Sequence, residues 1–293
     1  MKQRLTIPAL FFAALLTSCA STELGGSDFQ VYETKSGSRI ELATMVQGLQ
    51  HADVVFLGEE HDNDVGHRLQ LETVMALAAL RPDLIVTMEQ FEADVQSELD
   101  LFMAGAISEE EFLANSRPWE NYAEHYRPIV EFAKSNGIQV IAANIPRPVA
   151  RIVAYEGLAA IAEERIASPL TWTNEPQYGQ FFARAMGREA MDPEDQGLER
   201  WFAAQCVKDE KMAESISRAL VRSWAEGKRP LVVHLNGKFH SNNGLGTVSR
   251  LQRRHARLDI MLVGMNSDSD RERELGNDEL EEGNYIWLVQ PQP

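Results

Sequence analysis

Histidine side chains follow two glycines at the ends of two β-branched runs in this sequence. The run 54–57 leads into Gly-Glu-Glu-His, which ends at His61. The run 231–235 leads, after Asn236, into Gly-Lys-Phe-His, which ends at His240. A short β-branched run that stops at a glycine is typical of a buried strand that reaches its end. Because ligands of open α/β sheets bind beyond the carboxyl ends of the strands, both histidines are expected in one composite site.

Polar side chains also follow other predicted strands, so the same edge of the sheet can hold acid–base or metal chemistry. The candidate catalytic residues are Glu59, Glu60, His61, Glu89, Arg147 and His240. A Glu–His pair can act as a general acid and base. His61, Glu89 and His240 also form a ligand set for Zn²⁺ or Mn²⁺, and a bound ion with an open position could activate water for hydrolysis. The alternative is a satisfied hydrogen-bond network at this edge.

The segment 118–128 concentrates aromatic and basic side chains and is the second candidate site. Tyr122 and Tyr126 are four residues apart and would share one helix face. A phenolate suits ferric iron, and tyrosine ligation of haem iron has precedent. His125 and Arg127 belong to the same segment, and arginines such as Arg127 or Arg147 could pair with haem propionates. Spacing alone favours a packing role for both tyrosines, so the two interpretations stay open.

The elements that must position these residues alternate between strand and helix. Short apolar runs predict strands at 53–58, 84–89, 138–143, 230–236, 258–264 and 285–289. The runs mostly lack alternation, as expected of strands that are covered on both faces. Helical periodicity between them predicts an α/β fold, with a mostly parallel sheet flanked by helices. Residues 147–228 contain no strand pattern and predict a helical insertion that caps the carboxyl edge, and residues 29–42 predict a small hairpin.

The N-terminal residues have the pattern of a processing signal. Lys2 and Arg4 precede a mostly apolar stretch that ends in Leu-Thr-Ser-Cys19. This ending resembles the bacterial lipobox, which implies acylation of Cys19, a signal peptide over 1–18 and an outer-membrane location. Residues 19–28 would then form a lipidated tether to a single domain over 29–293. Only Cys206 would remain as a free thiol, and its helical surroundings favour a buried apolar role.

The charge of the chain limits its partners. The formal net charge is −16 at pH 7, which argues against nucleic acid or anionic headgroups as partners. Attachment to a membrane would therefore depend on the acyl chains of the lipid anchor. An acidic chain also does not attract an anionic porphyrin, so the charge mildly favours the hydrolase interpretation.

Several motifs together resemble the ChaN family of haem-binding lipoproteins, in the superfamily of Tiki, TraB and erythromycin-esterase-like proteins. The matching segments are 54–63, 67–72, 88–91, 126–133 and 144–147, with His240 completing the set. The resemblance implies haem binding through a tyrosine ligand, haem or iron uptake at the outer membrane, a homodimer around haem, and possible contact with an outer-membrane haem receptor. Tyr126 is the first candidate for the ligand and Tyr122 the second. Some superfamily members are metal-dependent hydrolases, which keeps that activity as the alternative.

Overall fold

An eight-stranded, mostly parallel sheet organises the computed structural model, which describes residues 28–168 and 170–292. The strands are β1 (Phe29–Glu33), β2 (Ser38–Ile40), β3 (Val54–Glu59), β4 (Leu84–Glu92), β5 (Gln139–Asn144), β6 (Leu231–Gly237), β7 (Ile260–Ser267) and β8 (Tyr285–Val289). Their order across the sheet is β2-β1-β8-β7-β3-β6-β4-β5. Neighbouring strands from β8 to β5 pair in parallel, whereas β1 is antiparallel to both β2 and β8. The predicted fold class is confirmed.

Helices cover both faces of this sheet. They are α1 (Leu42–Leu49), α2 (Asp64–Leu80), α3 (Gln96–Met103), α4 (Glu109–Ser116), α5 (Arg127–Ser135), α6 (Arg147–Glu156), α7 (Pro176–Ala185), α8 (Gln196–Ala225), α9 (Thr247–Arg254) and α10 (Asn277–Leu280). Helices α1 to α5 contribute to the larger apolar core on one face, and α8 and α9 contribute to the core on the other. Every residue of β3, β4 and β6 is buried, which explains their continuous apolar runs.

The predicted helical insertion consists of α6, α7 and α8, between β5 and β6. The N-terminal half of α8 packs against α6 and α7 in two smaller apolar clusters. Cys206 is a buried free thiol in this region, as expected from its surroundings. Within the described part of the chain, no helix combines the length and apolarity needed to cross a membrane. The predicted signal peptide, Cys19 and most of the tether lie outside the described residues.

A π-helical turn spans Tyr122–Tyr126 and leads directly into α5. Such turns hold one residue more than an α-helical turn, so they rotate the side chains that follow. Both tyrosines are buried. In a regular amphipathic helix, their rings would pack inward and their hydroxyls would be expected at the surface. The two tyrosines of the second candidate site therefore lie at the two ends of this turn, with both side chains buried.

Candidate functional site

A cleft of about 1070 Å³ opens at the carboxyl edge of the sheet, and we call it the rim cleft. It lies where β3, β4 and β6 end, between these strands and residues of α6, α7 and α8. The six residues predicted for catalysis all line it: Glu59, Glu60, His61, Glu89, Arg147 and His240. Because β3 and β6 are neighbours in parallel register, their two Gly-x-x-His ends meet at one site.

Glu59 is buried at the base of the rim cleft, where four side chains donate hydrogen bonds to it. Its Oε1 accepts from the hydroxyl of Tyr126 at 2.7 Å, from Gln90 at 3.0 Å and from His61 Nδ1 at 3.0 Å, and its Oε2 accepts from Gln70 at 2.9 Å. Burial alone would raise the pKa of Glu59, but the bond with His61 and the charges nearby lower it. The carboxylate therefore stays ionised and orients the imidazole.

His61 is the half-exposed histidine of the site, with 47% of its side chain accessible. Burial lowers its pKa, but the bond to Glu59 and the charge of that carboxylate raise it above the ordinary value. The ring packs edge-on against Trp119 with centroids 4.9 Å apart. It also lies so close to Gly237 that a Cβ there would be 2.6 Å from His61 Cε1, so the glycine makes room for the ring. With Nδ1 bound to Glu59, no described residue hydrogen-bonds Nε2.

His240 is buried between two carboxylates. Its Nδ1 lies 2.7 Å from Asp209 Oδ1, and its Nε2 lies 3.2 Å from Glu89 Oε1. Burial lowers the pKa of His240, but the charges of Glu89 and Asp209 outweigh burial and raise it to about 9. Burial raises the pKa of Glu89, but the charge of His240 and the hydrogen bond from it lower this pKa to about 2. The imidazole is therefore a fixed cation at neutral pH.

Asp209 is a site residue that the sequence did not reveal. Besides His240, it accepts hydrogen bonds from the hydroxyl of Tyr178 at 2.8 Å and from Thr247 Oγ1 at 2.9 Å. It lies in the middle of α8 rather than at a strand end, so the strand-end pattern could not select it. The sequence gives one indication of its role: Asp209 is an acidic residue on a helix face that is otherwise apolar, three residues after Cys206.

The predicted metal ligands meet at this edge, but they do not form a metal centre. In residues 28–168 and 170–292, no group of three or more His, Cys, Asp or Glu side chains has the arrangement of a metal site. Both ring nitrogens of His240 are bonded to carboxylates, and Glu89 Oε2 accepts from the backbone N–H of Gly237 at 2.8 Å. Of the predicted ligands, His240 and Glu89 are therefore already bonded to other groups, and only His61 keeps a ring nitrogen without a described partner, so the divalent metal is not supported.

The tyrosines of the segment 118–128 do not face the rim cleft. Tyr126 is fully buried and donates its hydroxyl to Glu59. Tyr122 is buried in the larger core, and its hydroxyl has no hydrogen-bond partner among the described residues. Burial raises the pKa of both phenols well above the ordinary value, which disfavours the phenolate that would ligate iron. In this conformation neither of them is available as an axial ligand.

The two basic residues predicted beside these tyrosines are engaged elsewhere. His125 Nε2 lies 2.8 Å from Asp64 Oδ1, and its ring stacks on His67 with centroids 4.1 Å apart. Arg127 forms an ion pair with Glu109 at the surface. These contacts connect the π-helical turn and α5 to neighbouring elements. In this structure the segment therefore packs against the core and orients Glu59 through Tyr126.

Tyr155 is the exposed tyrosine of this chain. All six tyrosines lie in the described residues; five are buried, whereas Tyr155 has 67% of its surface accessible. It lies on α6, where the guanidinium carbon of Arg151 is 5.6 Å from its ring centroid. Sequence patterns did not point to Tyr155, because the exposure of a lone tyrosine near a helix end does not follow from spacing.

Comparison with known proteins gives the family of this chain. The fold and the paired strand-end histidines define an α/β protein with a polar site at the carboxyl edge of its sheet. Residues 45–251 match the family model described as "Haem-binding uptake, Tiki superfamily, ChaN", which covers more than half of the chain. The protein belongs to this haem-binding family, as the motifs predicted.

Solved structures show the same fold at low sequence identity. The structure described as "Cofacial heme binding to ChaN of Campylobacter jejuni" has a TM-score of 0.69 and 20% identity, covering 91% of this chain and 98% of that one. The type III effector HopBA1 has a TM-score of 0.51 and 9% identity, covering 86% of this chain and 94% of that one.

One relative was found by sequence. The chloroplastic protein RETICULATA-RELATED 5 of Arabidopsis thaliana is 24% identical over 84% of this chain, and this chain spans 35% of that protein's length.

Proposed function

We propose that this protein binds haem on the exposed face of α6, with the phenolate of Tyr155 as the axial ligand to iron. Membership of the haem-binding family supports the ligand class. The observation that carries the choice of residue is the accessibility of Tyr155, since the other five tyrosines are buried. Tyr155 can therefore ligate haem iron without any unfolding of the apolar core.

The residues around Tyr155 fit a porphyrin with two propionates. Arg147, Arg151 and Tyr155 follow each other at four-residue spacing, so they form one stripe along α6. All three are exposed, and 60% of the Arg147 side chain is accessible. A guanidinium binds a carboxylate through paired hydrogen bonds, so Arg147 and Arg151 are the proposed partners of the propionates. When bound, the haem supplies iron chemistry, and these side chains hold and orient it.

Haem on an exposed helix face leaves one porphyrin face open. A second copy of the chain could cover it, and cofacial haem binding is described for ChaN of Campylobacter jejuni. Both points support the proposal of a homodimer around haem. A role in haem or iron uptake, a lipid anchor at Cys19, an outer-membrane location and contact with an outer-membrane haem receptor complete the proposal.

Titration of the purified protein with hemin, followed by visible spectra, tests this assignment. The wild-type protein should bind hemin saturably with the charge-transfer band of a tyrosinate complex. Tyr155→Phe should abolish that band, whereas Tyr126→Phe should keep it and serves as the matched control. Loss of the band in Tyr126→Phe with retention in Tyr155→Phe would assign the ligand to the buried tyrosine instead. The absence of saturable binding would reject the haem proposal.

A hydrolase at the rim cleft is the second candidate function, and the geometry of His61 favours it. Its Nε2 is free of described partners while Glu59 holds Nδ1, so the neutral ring could accept a proton from water at Nε2. Glu59 would then stabilise the imidazolium. Neither step uses Tyr155 or a porphyrin.

Hydrolysis of an activated ester by the haem-free protein tests this candidate. His61→Ala should abolish turnover, and Tyr155→Phe should leave turnover unchanged because Tyr155 lies outside the rim cleft. The wild-type rate should rise with pH as His61 loses its proton. Turnover that survives in His61→Ala would rule out this role for His61.

A further inference from the structure

A second concave site lies within the helical insertion, and we call it the cap cavity. Its volume is about 530 Å³, which is within the usual range for small-molecule sites. The first turn of α7, the first turns of α8 and the segment that follows α6 enclose it. Its apolar lining includes Leu158, Met191 and Phe202. None of its lining residues belongs to the rim cleft, so the two sites are distinct.

One cation lines this apolar cavity. Arg200 lines the cavity, and its guanidinium forms no ion pair or hydrogen bond with any described residue. The two carboxylates that share the lining do not neutralise it: Glu175 forms an ion pair with Arg250 at 2.9 Å, and Glu199 forms no ion pair with Arg200 among the described residues. A guanidinium without a partner at the wall of a cavity is free to bind a carboxylate that is not part of the chain.

The backbone at the end of α6 lies beside this arginine. Gly157 has φ of +90°, a conformation that favours glycine, and a Cβ there would lie 3.9 Å from Arg200 Cδ. The side chain of Arg200 thus passes over Gly157 while Phe202 contributes to the apolar wall from the same helix. A guanidinium at the wall of an apolar cavity matches a molecule with one carboxylate and a hydrocarbon body.

We propose that the cap cavity binds an apolar carboxylate, with Arg200 as the partner of its carboxylate group. The hydrocarbon part of the molecule packs against Leu158, Met191 and Phe202. The carboxylate pairs with the guanidinium of Arg200, which has no ion-pair partner among the described residues. Neither Tyr155 nor His61 lines this site.

Calorimetric titration of the full chain with octanoate and with octanol tests the proposal. Octanoate carries the carboxylate and octanol replaces it by a neutral hydroxyl of similar length. Octanoate should bind the wild-type protein about tenfold or more tightly than octanol, because a charge-assisted hydrogen bond is stronger than a neutral one. Arg200→Met should remove that difference by weakening octanoate alone. Arg200→Lys keeps the charge and should retain part of the preference.

The matched control is Arg222→Met, which removes an exposed arginine of the same helix about 33 Å away along its axis. Its affinity for octanoate should equal that of the wild-type protein. Circular dichroism checks that each variant is folded, and Arg200→Lys carries the test if Arg200→Met is not. The proposal is overturned if neither probe binds, if octanoate binds Arg200→Met as tightly as the wild type, or if Arg222→Met weakens it equally. No arm uses haem, so failure here is separate from failure of the haem proposal.

Discussion

The protein should lose stability at alkaline pH because of the buried group formed by His240, Glu89 and Asp209. Burial lowers the pKa of His240, but the two carboxylates raise it from 6.5 to about 9. Since the folded-state pKa is the higher one, this contribution is fully present below about pH 6.5 and is lost as the pH rises through about 9. One pKa unit corresponds to about 1.4 kcal/mol, so the free energy of unfolding should fall by about 3 kcal/mol across this window.

Urea unfolding at a series of pH values, combined with NMR titration of the histidine ring protons, measures this effect. Asp209→Asn removes one of the two carboxylates, so it should lower the pKa of His240 and reduce the fall in stability. His61 also has a raised pKa and contributes in the same direction, but it is unchanged in both proteins. His51→Gln changes an exposed histidine and should leave the fall as in the wild type.

Two results would refute this reasoning. One is a pKa of His240 near its ordinary value in the wild-type protein. The other is a free energy of unfolding that falls equally steeply in Asp209→Asn and in the wild type between about pH 6.5 and 9. Either result would mean that Asp209 does not hold the charge of His240.

Other contacts of the sheet edge give further predictions. Gly237→Ala should displace the ring of His61, because the new Cβ would lie 2.6 Å from Cε1, and a changed NMR shift of that ring would report it. Tyr126→Phe should lower the free energy of unfolding by about 1–3 kcal/mol in urea, since Glu59 loses a buried donor. Burial lowers the pKa of His234 to about 4, so stability should fall as the pH drops from about 6.5 through 4. His234→Gln should remove that part of the acid sensitivity; an unchanged acid profile would contradict it.

The strand-end residues could be predicted because a parallel sheet turns a one-dimensional pattern into a shared edge. Each apolar run ends near the observed end of its strand, and the register of β3 with β6 then places His61 and His240 at one cleft. The glycines matter for the same reason, since Gly237 leaves the space that His61 occupies. Local sequence patterns were therefore sufficient to predict the site residues whose positions are determined by the sheet.

Residues on helices could not be assigned in this way. Asp209 contacts His240 because α8 packs across the sheet, and the residues around Asp209 in the sequence do not predict that packing. Tyr126 is buried at the end of a π-helical turn, whereas spacing assumed a regular helix. The exposure of Tyr155 likewise depends on which side of α6 meets α8. These features arise from tertiary contacts.

The pairing of β3 with β6 has a consequence for how the protein is made. The two strands are neighbours in the sheet but roughly 180 residues apart in the chain, so β3 has no partner on that side until β6 leaves the ribosome. During that interval both edges of β3 are unpaired, because its other neighbour β7 is made later still, and they are exposed to association with other nascent chains. Contacts of such long sequence separation also slow folding. A ribosome stalled before residue 231 therefore holds a chain that cannot complete its sheet.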